Sequence, residues 1–403
     1  MGPFMRFDPQ SRRLSLDPRD PAFFADPYAA YARLHASPGP VFWEDYGFWC
    51  FPGHAAVSAL LRDKRSGRQI LHVATREELG WPPRPGHLAD FDAIERHSLL
   101  ELEPPEHTRL RALVNRAFVS RQVERLAPAI AGMAERLLDG LSPGDDLIAG
   151  FATPLAVGVI AALIGAPAAD AALLLDWSHK MVAMYQFAPT RADEDAAAAA
   201  ARDFAAYVRG LVAERRRDPR DDLISQLIAA ESEEGRLSEN ELVTTVILLL
   251  NAGHEATVHA LGNGVKALLE GGACFDGSET VIEELLRFDS PLHMFTRYAL
   301  QDVEIEGLRL GKGERVGLLL GAANRDPAVF AQAGRLDLAR APNPHVAFGA
   351  GIHFCVGAPL TRREMGIALE VLFRRLPGLK LAETPSYRDA YHFHGLTALR
   401  VTW

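Results

Sequence analysis

The chain has 403 residues, 48% of them hydrophobic and 24% charged, and its formal net charge is −9. This profile is typical of a globular protein with a sizeable core, and the acidic balance disfavours a general nucleic-acid binder, which needs a basic surface. The three cysteines, Cys50, Cys274 and Cys355, are too few and too scattered for a disulfide framework or a four-ligand zinc site. Their scarcity favours a reducing compartment.

The N-terminal segment carries charges and prolines where a signal peptide needs an apolar core of about seven residues or more. The longest uncharged stretch, residues 149–169, is interrupted by glycines and prolines and falls short of a membrane span of about 20 apolar residues. We therefore expect a cytoplasmic protein that contacts neither a membrane nor nucleic acid.

The predicted elements begin with a β-hairpin at residues 40–52, where PVFWEDYGFWCFP alternates around Tyr46-Gly47. Apolar residues then recur at helical spacing between about 108 and 290, which predicts a helical core. The longest helix starts at a capping box, Ser238 with Glu241, and reaches Gly271, a length of about 50 Å. Strand character returns near 294–320 and 380–403. We expect one domain, 1–403, that is mainly α with a small β part.

A glycine-rich run, FGAGIHFCVG, surrounds Cys355 and precedes a helix pattern with Pro359 in its first turn. Gly349 and Gly351 allow backbone conformations closed to other residues and let a flat ligand approach closely. The N-terminus of the following helix favours a thiolate over a thiol. The residues alone leave a buried structural cysteine, a nucleophile and a metal-bound thiolate open.

Phe348, Gly351, His353, Cys355 and Gly357 match the pattern FxxGx(H/R)xCxG, and on these residues the chain resembles the cytochrome P450 family of haem-thiolate monooxygenases. The resemblance implies a single triangular, α-rich domain with a long central helix over the haem. It implies that Cys355 is the axial ligand of the iron in haem b, which is iron protoporphyrin IX. It further implies that Phe348 packs beside the sulfur.

Haem carries two propionates, so several segments should offer cations and hydrogen-bond donors. By resemblance, PPEHTRLR supplies His107 and Arg111. Arg297 and His353 match two further propionate ligands. The remaining cofactor contacts implied on the long helix are two small residues: Ala252 and Gly253.

Glu284 and Arg287, in ELLR, can pair on one helix turn, although an isolated surface pair of this kind is worth only a few tenths of a kcal/mol. The resemblance implies that this pair joins an arginine from a later segment. We expect that arginine to be Arg335, with Arg340 as the alternative.

The long helix contains NAGHEAT at residues 251–257, which places an acid in an apolar stretch. HEATVH is not the HExxH zinc motif, because His254 and His259 lie about 140° apart around the helix. The segment instead resembles the family's AGx(D/E)T oxygen-activation motif, which implies that Glu255 relays protons. Ala256 stands at the alcohol position, and Thr257 is turned by about 100°, so we expect Thr257 to point away from the iron.

One face of this helix should floor the substrate cavity. Its residues are Leu248, Asn251, Ala252, Glu255 and Ala256. The resemblance adds His293 and Phe393 to the lining. Polar side chains at Asn251 and His293 suggest an oxygenated or carboxylated substrate; the alternative is that the backbone satisfies both.

An arginine cluster lies in and after the helix nearest the cysteine side, comprising Arg109, Arg111, Arg116, Arg121 and Arg125. The resemblance implies that an electron donor docks there, and a basic patch would steer an acidic ferredoxin reduced by ferredoxin reductase.

We therefore expect a monooxygenase that inserts one oxygen atom of O2 into a small organic substrate or oxidatively dealkylates it. Two alternatives remain at this point. One is a haem-thiolate enzyme that uses peroxide or performs oxidative coupling, which the alanine at position 256 suggests. The other is a haem-binding sensor without turnover.

Overall fold

The computed structural model describes residues 5–117, 120–232 and 235–403. The helices described there are α1 Pro21–Ala25, α2 Pro27–His35, α3 His54–Leu60, α4 Ala89–Glu95, α5 Glu106–Ala117, α6 Ser120–Asp139, α7 Thr153–Ile164, α8 Ala171–Val182, α9 Arg191–Arg217, α10 Leu223–Ala229, α11 Glu239–Glu270, α12 Glu279–Phe288, α13 Leu320–Ala323 and α14 Ala358–Arg375. The strands are β1 Arg6–Asp8, β2 Arg13–Ser15, β3 Val41–Trp43, β4 Phe48–Phe51, β5 Ser66–Gly67, β6 Glu231–Ser232, β7 Gly235–Arg236, β8 Phe295–Ala299, β9 Val303–Ile305, β10 Leu308–Leu310, β11 Arg315–Leu318, β12 Lys380–Leu381 and β13 Val401–Thr402.

One sheet has the strand order β1-β2-β3-β4-β11-β8-β5. The predicted hairpin is confirmed, because β3 and β4 are antiparallel with Val41 opposite Cys50. β11 runs parallel to β4 and antiparallel to β8, which joins the N-terminal hairpin to the strands after α12. The β part predicted near 380–403 is smaller than expected. β12 and β13 pair over two positions, and the chain between them makes isolated bridges in place of a ladder.

Helix α11 has the predicted bounds and the predicted cap. The Ser238 hydroxyl accepts a hydrogen bond from the Glu241 amide, and the Glu241 carboxylate accepts one from the Ser238 amide at 2.8 Å. Thirty-two residues at about 1.5 Å each make it roughly 48 Å long. It packs against α7, α9 and α14, so most of its surface lies inside the largest apolar core.

One strip of α11 is the exception to this burial. Between residues 242 and 265, the residues that keep appreciable exposure are Leu248, Ala252, Gly253 and Ala256. Leu248, Ala252 and Ala256 are spaced by four, so they follow one another along one face of the helix. We call these three residues the open strip.

The sheet forms two smaller apolar clusters, one against α1 and α2 and one around α3 and β11. Within the described chain, no helix combines the length and the apolarity that crossing a membrane would require.

Candidate active site

The loop that carries Cys355 is a tight turn leading into α14. Gly349 and Gly351 adopt φ values of +68° and +72°, which favour glycine, and a Cβ on Gly351 would collide with the carbonyl oxygen of Leu61. The Cys355 amide donates to the carbonyl oxygen of Phe348 at 3.0 Å. The glycines therefore serve the fold of the loop, as their spacing predicts.

The surroundings of Cys355 favour the thiol, whereas the helix start alone predicts a thiolate. Burial raises the pKa of the Cys355 thiol, while the amides of Gly357 and Ala358 and the charge of Arg111 act in the opposite direction with smaller effect. The helix start does favour the thiolate, but burial outweighs it. A thiolate at this position needs a bound cation to stabilise it, which favours the role of metal ligand over that of nucleophile.

A cluster of histidines and an acid lies beside the loop. The rings of His107 and His353 have centroids 4.4 Å apart, and His353 Nε2 lies 3.2 Å from Glu103 Oε1. His107 Nε2 is buried and has no hydrogen-bond partner among the described residues. Burial would raise the pKa of Glu103, but the hydrogen bond with His353 and nearby charges lower it. Glu103 was not predicted, although it precedes the PPEHTRLR segment directly.

Arg297, on β8, is a buried cation close to this cluster. It is 1% exposed, and the one hydrogen bond of its guanidinium found in the described chain goes to the Thr296 carbonyl oxygen, at 2.9 Å. Burial lowers the pKa of Arg297 to about 9. A buried guanidinium with no carboxylate bound to it is costly unless an anion joins it.

These features fit haem. Propionate groups would suit Arg297, whose buried guanidinium is seen to bond only a backbone carbonyl oxygen in the described chain. They would also suit His107, whose buried Nε2 has no partner there. Arg111 donates a hydrogen bond to Asn115 at 3.1 Å, and its charge lowers the pKa of Cys355. Arg111 therefore lies on the side of the molecule that carries the cysteine loop. The open strip of α11 offers small side chains against which a flat group can pack.

The second arginine bound to Glu284 is Arg340. Its Nε lies 3.0 Å from Glu284 Oε2, while Arg287 forms a bidentate pair with Glu284 at 2.7 Å for both contacts. The prediction of Arg335 was wrong: its exposed side chain turns to Gln332, and its carbonyl oxygen accepts from Arg287. Residues 324–350 lack periodicity, so spacing could not decide which arginine faces inward.

The Glu284–Arg287 pair is not a surface pair, because both residues are fully buried. Arg287 also donates to the carbonyl oxygens of Asn324 and Ala333 at 2.9 Å each. The pair thus ties α12 to the irregular segment that leads to the cysteine loop.

Glu255 lies in a pocket of basic side chains. Its Oε1 accepts from Arg388 Nη1 at 3.0 Å and from His259 Nε2 at 3.1 Å. Its Oε2 lies 3.3 Å from His179 Nε2 and 3.6 Å from His254 Nε2. Burial would raise the pKa of Glu255, but hydrogen bonds from His179 and His259 and the charges nearby hold it well below its usual range. Glu255 is therefore ionised at neutral pH.

None of these four partners was predicted. His259 could have been found, since it lies four residues after Glu255 on the same helix. His179 comes from α8 and Arg388 from the C-terminal segment, and no local pattern connects either to Glu255.

Thr257 lies off the open strip, as the spacing predicts. It is 3% exposed, and its hydroxyl donates to the Gly253 carbonyl oxygen at 3.0 Å. Ala256 is on the open strip. A Cβ on Gly253 would meet Ile160 Cδ1 of α7 at 2.5 Å, so close helix packing explains that glycine. Contact of Ala252 and Gly253 with the cofactor stays a prediction.

His293 does not line an open cavity. It is 0% exposed, its Nδ1 lies 2.7 Å from the Tyr31 hydroxyl, and its ring packs 4.5 Å from that of His394. The prediction rested on resemblance and is wrong, because Tyr31 and His394 enclose the His293 ring. Leu292, one position earlier, is the residue that bridges to Phe393.

Asn251 is buried, and its Nδ2 lies 3.6 Å from Met181 Sδ. Its Oδ1 has no hydrogen-bond partner in the part of the chain that the structure describes. The backbone does not satisfy this oxygen, so the alternative of an internally satisfied amide does not hold for Asn251.

The arginine cluster after residue 108 is partly neutralised. Arg109 forms an ion pair with Glu241, and Arg125 forms one with Asp221 at 2.9 Å. The side chain of Arg121 lies outside the described residues. Two arginines of the predicted basic patch are therefore already paired with acids, and docking of an electron donor on this patch stays a prediction.

Two apolar side chains are exposed in the cysteine loop itself. Ile352 is 42% exposed and Phe354 37% exposed, on either side of His353 and next to Cys355.

Comparison with known proteins agrees with this geometry. The family model described as Cytochrome P450 matches residues 278–383. The polyketide biosynthesis cytochrome P450 PksS of Bacillus subtilis is 34% identical over 97% of this chain and 99% of its own. The mycinamicin IV hydroxylase/epoxidase of Micromonospora griseorubida is 40% identical over 88% of this chain and 89% of its own.

Among solved structures, P450BioI in complex with an acyl carrier protein ligated with hexadec-9Z-enoic acid has a TM-score of 0.86 and 34% identity, covering 95% of this chain and 99% of that one. The predicted fold class is confirmed by this similarity. Relatives of this identity over nearly the whole length also establish the haem-thiolate iron cofactor and the oxidoreductase activity that acts with O2. The chain belongs to the cytochrome P450 family of haem-thiolate monooxygenases.

Proposed function

We propose that this enzyme hydroxylates or oxidatively dealkylates a small, oxygenated organic substrate, with electrons from a ferredoxin and its reductase. The observation that carries the proposal is the buried carboxylate of Glu255, held by Arg388 and His259 beside Ala256, an alanine on the open strip of α11. Haem b bound through Cys355 would supply the activation of O2 at its iron. The side chains would bind the cofactor, orient the substrate and deliver protons.

Arg297 and His107 are the best supported propionate ligands. His107 Nε2 is buried without a hydrogen-bond partner in the described chain, and the buried Arg297 guanidinium is seen there with a single backbone acceptor, the Thr296 carbonyl oxygen. His353 already contacts Glu103, so it would be shared between that carboxylate and a propionate. Arg111 would add a positive charge near Cys355. The glycines of the cysteine loop would let the cofactor approach the backbone.

Glu255 would move protons from solvent to the face of α11. His179 is 50% exposed at its side chain and lies 3.3 Å from the buried Glu255 Oε2. A proton can therefore pass from bulk water through the imidazole to the carboxylate.

Ala256 has no hydroxyl to carry the proton further, so another hydroxyl must stand near it. We propose that the substrate's own hydroxyl, or a water that it orders, fills this place. The partnerless Oδ1 of Asn251 supports a polar substrate, since it can accept a hydrogen bond from a ligand.

The electron donor would dock at the cysteine loop. Ile352 and Phe354 offer apolar contact next to the thiolate ligand. Because Arg109 and Arg125 are already paired with acids, steering of an acidic ferredoxin would be modest.

The test of the haem site uses the reduced protein with carbon monoxide, whose complex with thiolate-bound haem has a strongly red-shifted Soret band. We expect that band in the parent and in Cys274→Ser, and its loss in Cys355→His. Absence of the band from the parent would remove the basis of the proposal. A screen of oxygenated compounds by Soret shift then identifies substrates, and consumption of NADH with a surrogate ferredoxin system measures turnover.

The second candidate is a haem-thiolate enzyme driven by hydrogen peroxide, including one that performs oxidative coupling. It is favoured by one observation, the alanine in place of the alcohol at position 256. Product formation with peroxide at rates above those with the ferredoxin system would favour it. The sensor alternative loses support, because the relatives compared above include a hydroxylase/epoxidase.

A further inference from the structure

Three ligand atoms of suitable chemistry converge where α8 crosses α11. They are His179 Nε2, His254 Nε2 and Glu255 Oε2, and all lie within 4.8 Å of one another. Two of the separations, from Glu255 Oε2 to the two nitrogens, are 3.3 and 3.6 Å. Ligand atoms in a tetrahedral site with bonds of about 2.1 Å are about 3.4 Å apart. A small ion can therefore sit between them after little movement.

The tautomer of His254 points to a ligand. Its Nδ1 lies 2.9 Å from the Leu250 carbonyl oxygen, which can only accept, so Nδ1 carries the proton. In the neutral ring, Nε2 then has a free lone pair. That nitrogen is buried, has no hydrogen-bond partner in the described chain, and faces Glu255 Oε2. A lone pair that faces a carboxylate oxygen is unfavourable unless a cation lies between them.

The surroundings resemble those of metal-bound histidines in general. The hydrogen bond from His254 Nδ1 to a backbone carbonyl fixes the ring as second-shell partners do. Arg388 and His259 hold the other oxygen of Glu255, so the carboxylate is oriented with Oε2 towards His179 and His254. His179 is half exposed, which gives the ion a way in from solvent.

We propose that His179, His254 and Glu255 form a binding site for one divalent transition-metal ion, of which Zn²⁺ is the best match. Two imidazoles and one carboxylate suit zinc, with water as the fourth ligand. The ion would link α8 to α11. It would also occupy the carboxylate oxygen through which Glu255 exchanges protons with His179, so it would slow turnover. That last consequence rests on the proposed function, whereas binding does not.

The test is calorimetric titration of ZnCl2 into the haem-loaded protein with Cys274→Ser as background, because Cys274 is an exposed thiol. We expect one tight equivalent. His179→Ala should weaken it roughly tenfold or more, since loss of even an outer-shell partner costs a metal site about 10–100-fold. His87→Ala is the matched control: His87 forms a part-exposed pair with Glu194 at 2.8 Å, and no second histidine completes a metal-binding group with it among the described residues. Its Zn²⁺ affinity should equal that of the background protein.

X-ray absorption at the zinc edge gives an independent readout, with an expected shell of nitrogen and oxygen ligands at about 2.0–2.1 Å. Absence of a tight equivalent, or equal Zn²⁺ affinity of His179→Ala and the background protein, would overturn the site. Neither result bears on monooxygenase activity. If Zn²⁺ binds as expected but does not slow turnover in the presence of a ferredoxin, the metal site stands and the proton route through His179 fails.

Discussion

Arg340 Nε lies 3.0 Å from Glu284 Oε2, and the Glu284 carboxylate, which Arg340 and Arg287 both bind, is closed to solvent. The second arginine also donates to the Ala331 carbonyl oxygen at 3.0 Å, so one side chain joins α12 to the irregular segment before the cysteine loop. Buried ion pairs of this kind fix a chain path more than they add to stability, but removing one partner is costly.

Arg340→Ala should lower the free energy of unfolding by about 3 kcal/mol, because Glu284 keeps its charge and loses one of its two guanidinium partners. Arg335→Ala should change it by less than about 0.5 kcal/mol, since its exposed side chain contributes no contact to Glu284. Urea unfolding of the two haem-loaded variants compares them directly. Equal losses of unfolding free energy in the two variants would show that the contact of Arg340 with Glu284 adds no stability beyond that of an exposed arginine.

Arg297→Met should have opposite effects on the haem-free and haem-loaded protein. Without a propionate, the buried guanidinium is unpaired, and its pKa of about 9 reflects that cost. The methionine variant should therefore be more stable than the parent when haem-free, by about 2 kcal/mol. It should also release haem faster, since a charge-assisted hydrogen bond to the propionate is lost.

Arg315→Met is the control, because Arg315 is an exposed arginine of the neighbouring strand β11. Unfolding of the haem-free proteins and transfer of haem to a scavenger protein supply the two readouts. A variant at position 297 that was less stable without haem and retained it normally would contradict the role of Arg297.

The parts of the site that sequence predicts are those with local causes. Gly349 and Gly351 are required by positive φ, and Ser238 with Glu241 caps α11 through contacts three residues apart. Such signals do not depend on the rest of the chain, so the long helix and the cysteine loop were found with correct bounds.

The parts that were missed depend on packing between distant segments. Arg388 reaches Glu255 from 133 positions away, and nothing near either residue indicates the contact. The choice between Arg335 and Arg340 is a matter of which side chain an irregular segment turns inward. His293 was placed in the cavity lining by resemblance, and its burial depends on contacts with Tyr31 and His394 from distant segments.

Glu364 should make stability fall as pH rises. It is 1% exposed on α14, its Oε1 has no partner among the described residues, and burial raises its pKa to about 8. In the unfolded chain the pKa is about 4.3, so between about pH 5 and 8 the folded state holds a proton that the unfolded state has lost. Folding takes up a proton in this window, and the free energy of unfolding falls with increasing pH.

Glu364→Gln removes the proton uptake at this position. The free energy of unfolding of the variant, relative to that of the parent, should therefore increase by about 1 kcal/mol for each pH unit from about 5 to 7. Unfolding of both proteins at several pH values measures the difference, in which other titrating groups cancel. Glu370→Gln, at an exposed acid of the same helix, controls for the loss of a carboxylate from α14. A difference between Glu364→Gln and parent that stays constant over this range would refute the assignment.

Ala256→Thr tests how the missing alcohol on the open strip is replaced. Thr257 cannot supply it, since its hydroxyl is bound to the Gly253 carbonyl oxygen and its side chain is buried. If a substrate hydroxyl fills the place, the threonine should raise the coupling of NADH consumption to product for an analogue that lacks that hydroxyl. It should also lower the yield of hydrogen peroxide with that analogue.

Ala256→Val is the matched control, because valine has the shape of threonine without its hydroxyl. It should crowd the open strip equally and leave the coupling with the analogue low. Product, consumed NADH and peroxide are measured in the same reactions for both variants. Because threonine and valine have nearly the same volume, any difference between the variants comes from the hydroxyl group. Equal coupling and equal peroxide yield in both variants would mean that proton delivery beside Glu255 does not pass through position 256.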